Sequence, residues 1–532
     1  MTTDRTSSET ATRGQRLRSA LPWAVIGAVA TLLGTATGHL VNSLLSRTAS
    51  PVLEVSQVIV DVGSGFETLK QNVIDALGTA DKPVTVGSVL VVVTLLGAVS
   101  GVLARRRLAA GIALQAVLVA VAAAAVLVGS PFDVRDTVPS LVTFLVGAGA
   151  LWFLGTRLAA SEGSSTPAES GTTTGASRRG VLIGAGVMAL AAAAFTGVGR
   201  FVTSLRASPS DVTLPAPDDA AGSFPDGLDD RVDGITRLRT PNSEFYRVDT
   251  RLDTPVVDLE SWTLTIDGDV EEELELTFDD LLEMELIERD ITMTCVSNSV
   301  GGEFVGGARW LGVRLTDILE RAGVGSTADQ ILATDFDGMT ISTPLDVATD
   351  GRDTMIAIGM NGEALPRAHG FPARMITPGL YGFVGACKWI TRITLTTYDE
   401  EQAYWTERDW ATDAPIKISA RIDTPSALEQ VAPGTVTVGG VAWAQQKGGV
   451  ARVQVRIDGG PWQDAELGPD VGNDYWRQWF YEWDASGADS GTHSVAARVM
   501  SGDGTTQTDV RASPFPEGAS GVQTLQVTVT DG

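Results

Sequence analysis

Five apolar stretches, at residues 21–45, 84–103, 108–128, 138–158 and 180–202, constrain this chain more than any other feature. Each is long enough to cross a hydrocarbon layer of about 30 Å as a helix. Inside such a layer the backbone must satisfy its own hydrogen bonds, which leaves helices as the fold for segments of this length. The gaps then set orientation. Arg13, Arg16 and Arg18 precede the first stretch, Arg105, Arg106 and Arg107 follow the second, and Arg157, Arg178 and Arg179 flank the gap before the fifth. The other two gaps carry Arg47, Lys70 and Lys82 in a long acidic loop, and Arg135 between Asp133 and Asp136. With five spans, all three basic gaps fall on one side. The positive-inside rule therefore predicts a cytoplasmic N-terminus at 1–20, a five-helix transmembrane region at 21–203, and an exported remainder in a multi-pass protein of the cell membrane.

Three smaller features lie in this half. Gly34 and Gly38 are spaced for close helix approach, or for ordinary small-residue packing. His39 and Asn42 sit toward the outer end of the first span, where a polar residue is either a functional group or an interfacial one. A Ser/Thr/Gly-rich cytoplasmic linker at 161–177 ends on Ser177-Arg178-Arg179-Gly180-Val181-Leu182. That run has the shape of a twin-arginine export signal, and equally of a plain positive anchor.

Composition changes after the last span, from Ala/Val/Leu to Asp, Glu, Trp and Tyr. The net charge is -26, and only five of the 39 basic residues are Lys. An acidic surface without a basic stripe argues against nucleic acid as a partner, and it suits a protein kept soluble by charge, in concentrated salt or simply outside the cell. Two cysteines, Cys295 and Cys387, exclude a disulfide scaffold, a four-Cys zinc site and a four-Cys iron–sulfur cluster. Three histidines, of which only His39 lies in a span, leave a haem with two axial histidines unexpected. No nucleotide-binding glycine loop occurs, so nucleotide and flavin cofactors are not expected either.

Residues 204–232 are rich in Pro, Asp and Ala and read as a linker. Residues 233–400 mix strand and helix signals irregularly, which predicts an α+β domain. Strands are expected at 262–266, 290–295, 330–333 and 339–342, and helices at 278–284 and 315–322, the latter stopped by Gly323. From 411 to 532 short alternating strands recur between turns, at 416–422, 435–444, 451–457, 494–500 and 523–529, which predicts an immunoglobulin-like sandwich.

Four patches in the globular half carry the chemistry. They are Arg239-Thr-Pro-Asn242-Ser-Glu-Phe-Tyr246-Arg247; Thr294-Cys295-Val-Ser-Asn298-Ser-Val-Gly301-Gly302 with Ala308-Arg309-Trp310 after it; His369-Gly370-Phe-Pro372-Ala-Arg374; and Pro378-Gly-Leu-Tyr381-Gly382 running on to Cys387-Lys388-Trp389. Cys295 ends a strand and opens a polar, Gly-rich loop, a place where loops present reactive thiols; a buried structural thiol or a disulfide to Cys387 would also satisfy the pattern. His369, Arg374 and Lys388 can jointly hold an anion, or can be ordinary surface ion pairs.

Taken together, these patches resemble the molybdopterin domain of the sulfite oxidase family, and the C-terminal strands, with Gly440-Val-Ala-Trp443-Ala, resemble that family's dimerisation domain. The resemblance covers about 233–529. It implies a multi-domain chain: an all-α transmembrane bundle, an α+β molybdopterin domain and an all-β immunoglobulin-like sandwich. It further implies that Cys295 ligates molybdenum, and that Asn242, Tyr246, Arg247, Thr343, His369, Arg374 and Lys388 hold the molybdopterin. The implied activity is two-electron oxygen-atom transfer on a small sulfur- or N-oxide-type substrate, with a separate electron-transfer protein as partner and room for a homodimer. Two departures bear on substrate. Ser299 and Val300 stand where sulfite oxidases carry an Arg, and Trp410 stands where they carry a Tyr in Trp405-Thr-Glu-Arg408-Asp409-Trp410. Sulfite dehydrogenase proper, and a non-catalytic membrane assembly or docking module, are the competing readings.

Overall fold

The computed structural model describes residues 13–45, 52–53, 55–56, 81–128, 137–163, 178–205, 209, 212–251 and 254–531. Two compact units emerge: residues 1–208 with 249–256, and residues 209–248 with 257–532. Most of the acidic loop between the first two apolar stretches, and nearly all of the 161–177 linker, lie outside the described residues.

In the first unit the apolar stretches form α1 (Arg13–Leu45), α2 (Asp81–Arg106), α3 (Leu108–Val128), α4 (Val138–Gly163) and α5 (Arg178–Leu205). All five are long and apolar enough to cross a membrane. Glycines set how closely α1 meets its neighbours. A Cβ on Gly34 would lie 2.5 Å from the Thr143 carbonyl, and one on Gly38 would lie 1.9 Å from the Thr143 hydroxyl. On another side, Gly27 and Gly101 meet at backbone distance, a Cβ on Gly101 falling 2.9 Å from the Gly27 Cα. The spaced glycines thus bring backbones together, as small residues do between membrane helices. Gln115 spans three helices: its amide reaches Thr31 at 3.3 Å and Ser100 at 3.5 Å.

The second unit holds an α+β half and a sandwich half together. One five-stranded sheet has the order β2–β1–β9–β5–β6, from β1 (Thr263–Gly268), β2 (Leu274–Thr277), β5 (Gln330–Asp335), β6 (Thr340–Pro344) and β9 (Ile390–Thr396), with β1 and β9 parallel. A second sheet runs β3 (Leu286–Thr294), β4 (Val305–Arg314), β7 (Met355–Met360), with β8 (Arg374–Ile376) pairing to β7. Local signals explain the helices. Thr277 and Asp280 form a reciprocal capping box that starts α6 (Phe278–Glu283). Gly323, at φ 68°, ends α7 (Leu315–Ala322) in a conformation that costs glycine little. Between the sheets lies one apolar core that includes Trp262, Leu264, Ile266, Leu315, Ile318 and Ile393.

The C-terminal strands form a two-sheet sandwich. One sheet is β10 (Ser419–Thr424), β11 (Thr435–Trp443), β13 (Arg477–Asp484); the other is β15 (Gln523–Val529), β14 (Gly491–Ser501), β12 (Val450–Ile457), with short edge segments beside them. Trp479 and Trp483 fill its core with Val438, Val453, Val495 and Val527. Packing alone holds it, both cysteines lying elsewhere and free.

The structure differs from the expected linker at one point. Residues 212–232 contain no helix or strand, but they are not a detached spacer. Asp219 pairs with Ile287 on β3 and binds Arg289 and Arg314, while Val212 and Leu214 pack on the core. Scattered apolar residues between prolines cannot form an element, yet each can still find a place on an existing surface.

Candidate functional site

Cys295 is the first residue of the loop joining β3 to β4. The hairpin register pairs Thr294 with Val305, and the Cys295 N–H donates to the Phe304 carbonyl at 2.9 Å, closing the loop at its neck. Within it the Asn298 N–H donates to the Cys295 carbonyl at 3.0 Å, the Asn298 side chain accepts from the Phe304 N–H at 2.9 Å, and Gly301 turns at φ 81°. The thiol is therefore presented by a rigid hairpin end. Burial pushes its pKa up, while the Ser297 N–H and hydroxyl and the charge of Lys388 pull it back. Cys387 is also free and buried, its thiol raised by burial and by Asp335. The disulfide alternative is thus not formed.

His369 ends a short turn, Arg367–His369, ahead of β8, and Arg374 is the first residue of β8. The His369 ring nitrogen Nε2 lies 3.0 Å from the Asn242 carbonyl and packs edge-on against Phe245 at 5.5 Å. Burial, then Arg374, lowers this histidine to about 4, with Lys388 and Arg247 adding to the effect. It is neutral at physiological pH, so Nε2–H is the donor to that carbonyl. Asn242 donates to the Met360 carbonyl at 3.2 Å and to Glu363 at 2.6 Å, and accepts from Asn361 at 2.8 Å.

Arg374 is buried and donates through Nη1 to the His369 carbonyl at 3.0 Å, with its guanidinium 5.2 Å from the centre of the Trp310 ring. Its Nε has no partner, and no carboxylate pairs with it among the described residues. Burial lowers it to about 10. Lys388 forms an isolated bridge with Arg374, sends Nζ to the Val248 carbonyl at 3.2 Å and lies over the Trp389 ring at 4.6 Å. Tyr246 is half-buried and stacked on Phe245; desolvation raises its phenol, with the neighbouring Cys295 raising it further and Arg374 opposing.

Thus Cys295, Tyr246, Arg247, His369, Arg374, Lys388 and Asn242, drawn from four separate patches, meet in one place. Thr343 is the outlier. Its hydroxyl is spent on the Val384 carbonyl in α8 (Gly382–Gly385), so it braces that helix. Two groups without an expected role also belong here. The buried Tyr381 phenol is pushed up to about 12 by burial, accepts the Lys417 N–H at 3.3 Å, and feels Cys295. Ser297, two residues on, favours the ionised form of the Cys295 thiol. The fourth patch contained Tyr381, but only folding shows that it approaches the thiol. Trp410 is caged by Phe383, Trp405 and Phe515 at ring distances of 5.2 to 5.8 Å, a partly exposed aromatic wall.

Three buried polar atoms near α8 and β8 have no partner among the described residues: Arg374 Nε, the Thr294 hydroxyl and the Thr377 hydroxyl. A Cβ on Gly382 would lie 4.0 Å from the Thr294 carbonyl, and one on Gly385 would lie 3.2 Å from the Thr377 Cβ, so both threonines border this short helix. Buried polar groups are normally satisfied. A cluster of open ones around a thiol and an uncompensated guanidinium fits a bound anionic cofactor with a soft metal.

Residues 251–405 match the oxidoreductase molybdopterin binding domain, and residues 419–497 match a bacterial Ig domain. The mitochondrial sulfite oxidase of Homo sapiens is 32% identical over 275 residues, covering 43% of this chain and 49% of that protein; that of Mus musculus is 31% identical over 273 residues, with the same coverage. The chain spans about half the length of the curated relatives it matches. Among solved structures, the sulfane dehydrogenase SoxCD from Paracoccus pantotrophus aligns with 22% identity and a TM-score of 0.49, covering 56% of this chain and 85% of that one.

Proposed function

We propose that the chain is a membrane-anchored, exported oxidoreductase whose catalytic half, matching an oxidoreductase molybdopterin binding domain, is of the sulfite oxidase type. It acts by two-electron oxygen-atom transfer on a small sulfur- or N-oxide-type substrate, and a separate electron-transfer protein exchanges electrons with it. The observation that carries the reading is Arg374, a buried guanidinium against His369, Lys388 and Trp310 with an open Nε and no carboxylate partner among the described residues.

Bound molybdenum–molybdopterin supplies redox and oxygen-transfer chemistry that no side chain can perform. Cys295 is the soft thiolate ligand. Burial disfavours ionisation of its thiol, and Ser297 and Lys388 favour the thiolate that a metal needs. Arg374 and Lys388 supply positive charge for the phosphate, Arg374 as a fork and Lys388 as a point charge. Neutral His369 is oriented by the Asn242 carbonyl and completes the same wall with Arg247 and Tyr246. Thr343 contributes indirectly, through α8.

Positions 299 and 300 offer no guanidinium to a small oxyanion, and the wall of Trp405, Trp410, Phe383 and Phe515 is aromatic. Both features favour a neutral substrate over sulfite. The five apolar helices anchor the protein, with basic gaps inside and the catalytic unit outside. Export of a domain already holding its cofactor fits the Arg178-Arg179 pair that opens α5.

Metal and pterin analysis of the purified full chain tests the reading. One molybdenum per chain is expected, with a Mo–S(Cys) contribution in X-ray absorption that disappears in Cys295→Ser while the fold persists. Folded protein from a molybdopterin-producing host that contains no molybdenum would refute it.

A further inference from the structure

β3 is an edge strand of its sheet; its open edge is bridged by Asp219 near its start and held by the immunoglobulin-like half near its end, at Thr292. Thr292, three residues before Cys295, is held on three atoms. Its N–H donates to the Asp474 carbonyl at 2.9 Å, its hydroxyl accepts the Trp476 N–H at 2.8 Å, and its carbonyl accepts the Gln445 side-chain amide at 2.8 Å. The far end of the thiol loop is held from the same half. Arg421, on β10, donates through Nη1 to the Gly302 carbonyl at 3.1 Å, through Nη2 to the Thr236 hydroxyl at 2.6 Å, and through Nε to Asp423 at 2.6 Å. Both members of that ion pair have side chains less than a tenth exposed. Gln523, on β15, presses on Gly301 so closely that a Cβ there would lie 2.7 Å from its amide nitrogen. Asn298 closes the loop from inside, 2.6 Å from where a Gly302 Cβ would be.

We infer that the immunoglobulin-like half is a working part of the catalytic unit, with Arg421 as the positioning residue that fixes the Cys295 loop. A buried ion pair is an expensive way to gain stability, since desolvation consumes most of the attraction. Here the pair has a geometric use: Asp423 aims a planar fork whose other arms reach two acceptors on the catalytic half. A lysine could keep the charge but not hold three acceptors in one plane. The sandwich thus sets the position of residues 296–304, and through them the sulfur. The functional weight of this placement rests on Cys295 being the metal ligand; the mechanical claim does not.

The test uses the full chain in two variants. Arg421→Lys keeps the charge beside Asp423. The double variant Arg421→Gln with Asp423→Asn removes both charges together, and decides the matter if the lysine variant fails to fold. Arg498→Gln, on β14 where Arg498 binds Gln454, is the control in the same half. Hydrogen exchange is followed at Asn298, Gly302 and Phe304, whose amides are bonded within the loop. In protein made without molybdopterin, exchange at these amides rises at least tenfold in the Arg421 variants and is unchanged in the control. In loaded protein the Mo(V) EPR spectrum of partly reduced enzyme shifts or splits. A folded Arg421 variant with native exchange at all three amides and a native EPR spectrum overturns the inference. Faster exchange with no molybdenum in the parent protein leaves the positioning role standing and removes only the metal reading.

Discussion

Replacing Arg374 by Met separates a ligand-binding role from a structural one. Burial lowers this guanidinium to about 10, below its value in the unfolded chain. Both states are protonated at pH 7, so the full cost of burying the charge is present there. At about 1.4 kcal/mol for each tenfold change in proton affinity, that cost is roughly 3 kcal/mol. Methionine removes it. It also loses the charged hydrogen bond to the His369 carbonyl, worth about 1.5–3 kcal/mol, and the contact with Trp310, worth about 0.5–2 kcal/mol. The terms nearly cancel. Cofactor-free Arg374→Met should therefore stay within about 2 kcal/mol of the parent, a shift of a few degrees in Tm. Loading should suffer far more, because truncating one side of a desolvated charge pair costs about 2–5 kcal/mol, roughly thirty-fold to several thousand-fold in affinity. The assay is tryptophan-monitored thermal unfolding of full-length protein from a molybdopterin-deficient host, paired with molybdenum content from a competent one. A cofactor-free variant destabilised by about 4 kcal/mol, as when a buried ion pair is broken, but loaded normally, would refute the reasoning.

Other outcomes follow from the same geometry. His369 is held to about 4 in the folded state, below its free value of 6.5, so the unfolded chain binds more protons between those values; the urea midpoint should fall as pH drops from 6.5 toward 4, and fall less steeply in His369→Gln. Ala427→Cys, on an exposed loop of the sandwich, should react with an impermeant maleimide in spheroplasts, whereas Ser170→Cys in the basic-flanked linker should react only after lysis; the reverse pattern would invert the topology. Arg178→Lys with Arg179→Lys keeps the charge and removes the guanidinium pair, so loss of active enzyme outside the cell supports the twin-arginine route, and unaltered export shows the pair to be an anchor. Trp410→Ala should raise KM for a neutral sulfoxide such as dimethyl sulfoxide by about tenfold with a smaller change in kcat, consistent with about 1–3 kcal/mol for a lost aromatic contact; equal KM values would remove Trp410 from the substrate wall.

Some of this protein was legible before folding, because the signals were local. Hydropathy over twenty residues marks a span wherever the rest of the chain goes, and the five helices fall on the five stretches. Gly323 ends α7 where its sequence places a stop, and the sandwich strands at 435–444, 451–457 and 523–529 alternate cleanly enough to be seen. The strand Arg477–Asp484 was not among the expected ones: Trp479, Tyr481 and Trp483 alternate with Gln478, Glu482 and Asp484, but Phe480 interrupts the pattern, and only its neighbours make it a central strand. The thiol loop shows the same division. Cys295 before two glycines announces a presented thiol, and a run of His, Arg and Lys announces an anion site. That no carboxylate among the described residues pairs with Arg374, that Tyr381 approaches the thiol, that Asp219 bridges to β3, and that Arg421 reaches 119 positions back to Gly302 are facts of three-dimensional neighbourhood. A residue's type limits what chemistry it can do and its near neighbours set the local backbone, but whether a charge is paired, and by what, depends on chain segments that only the packed core brings within 3 Å.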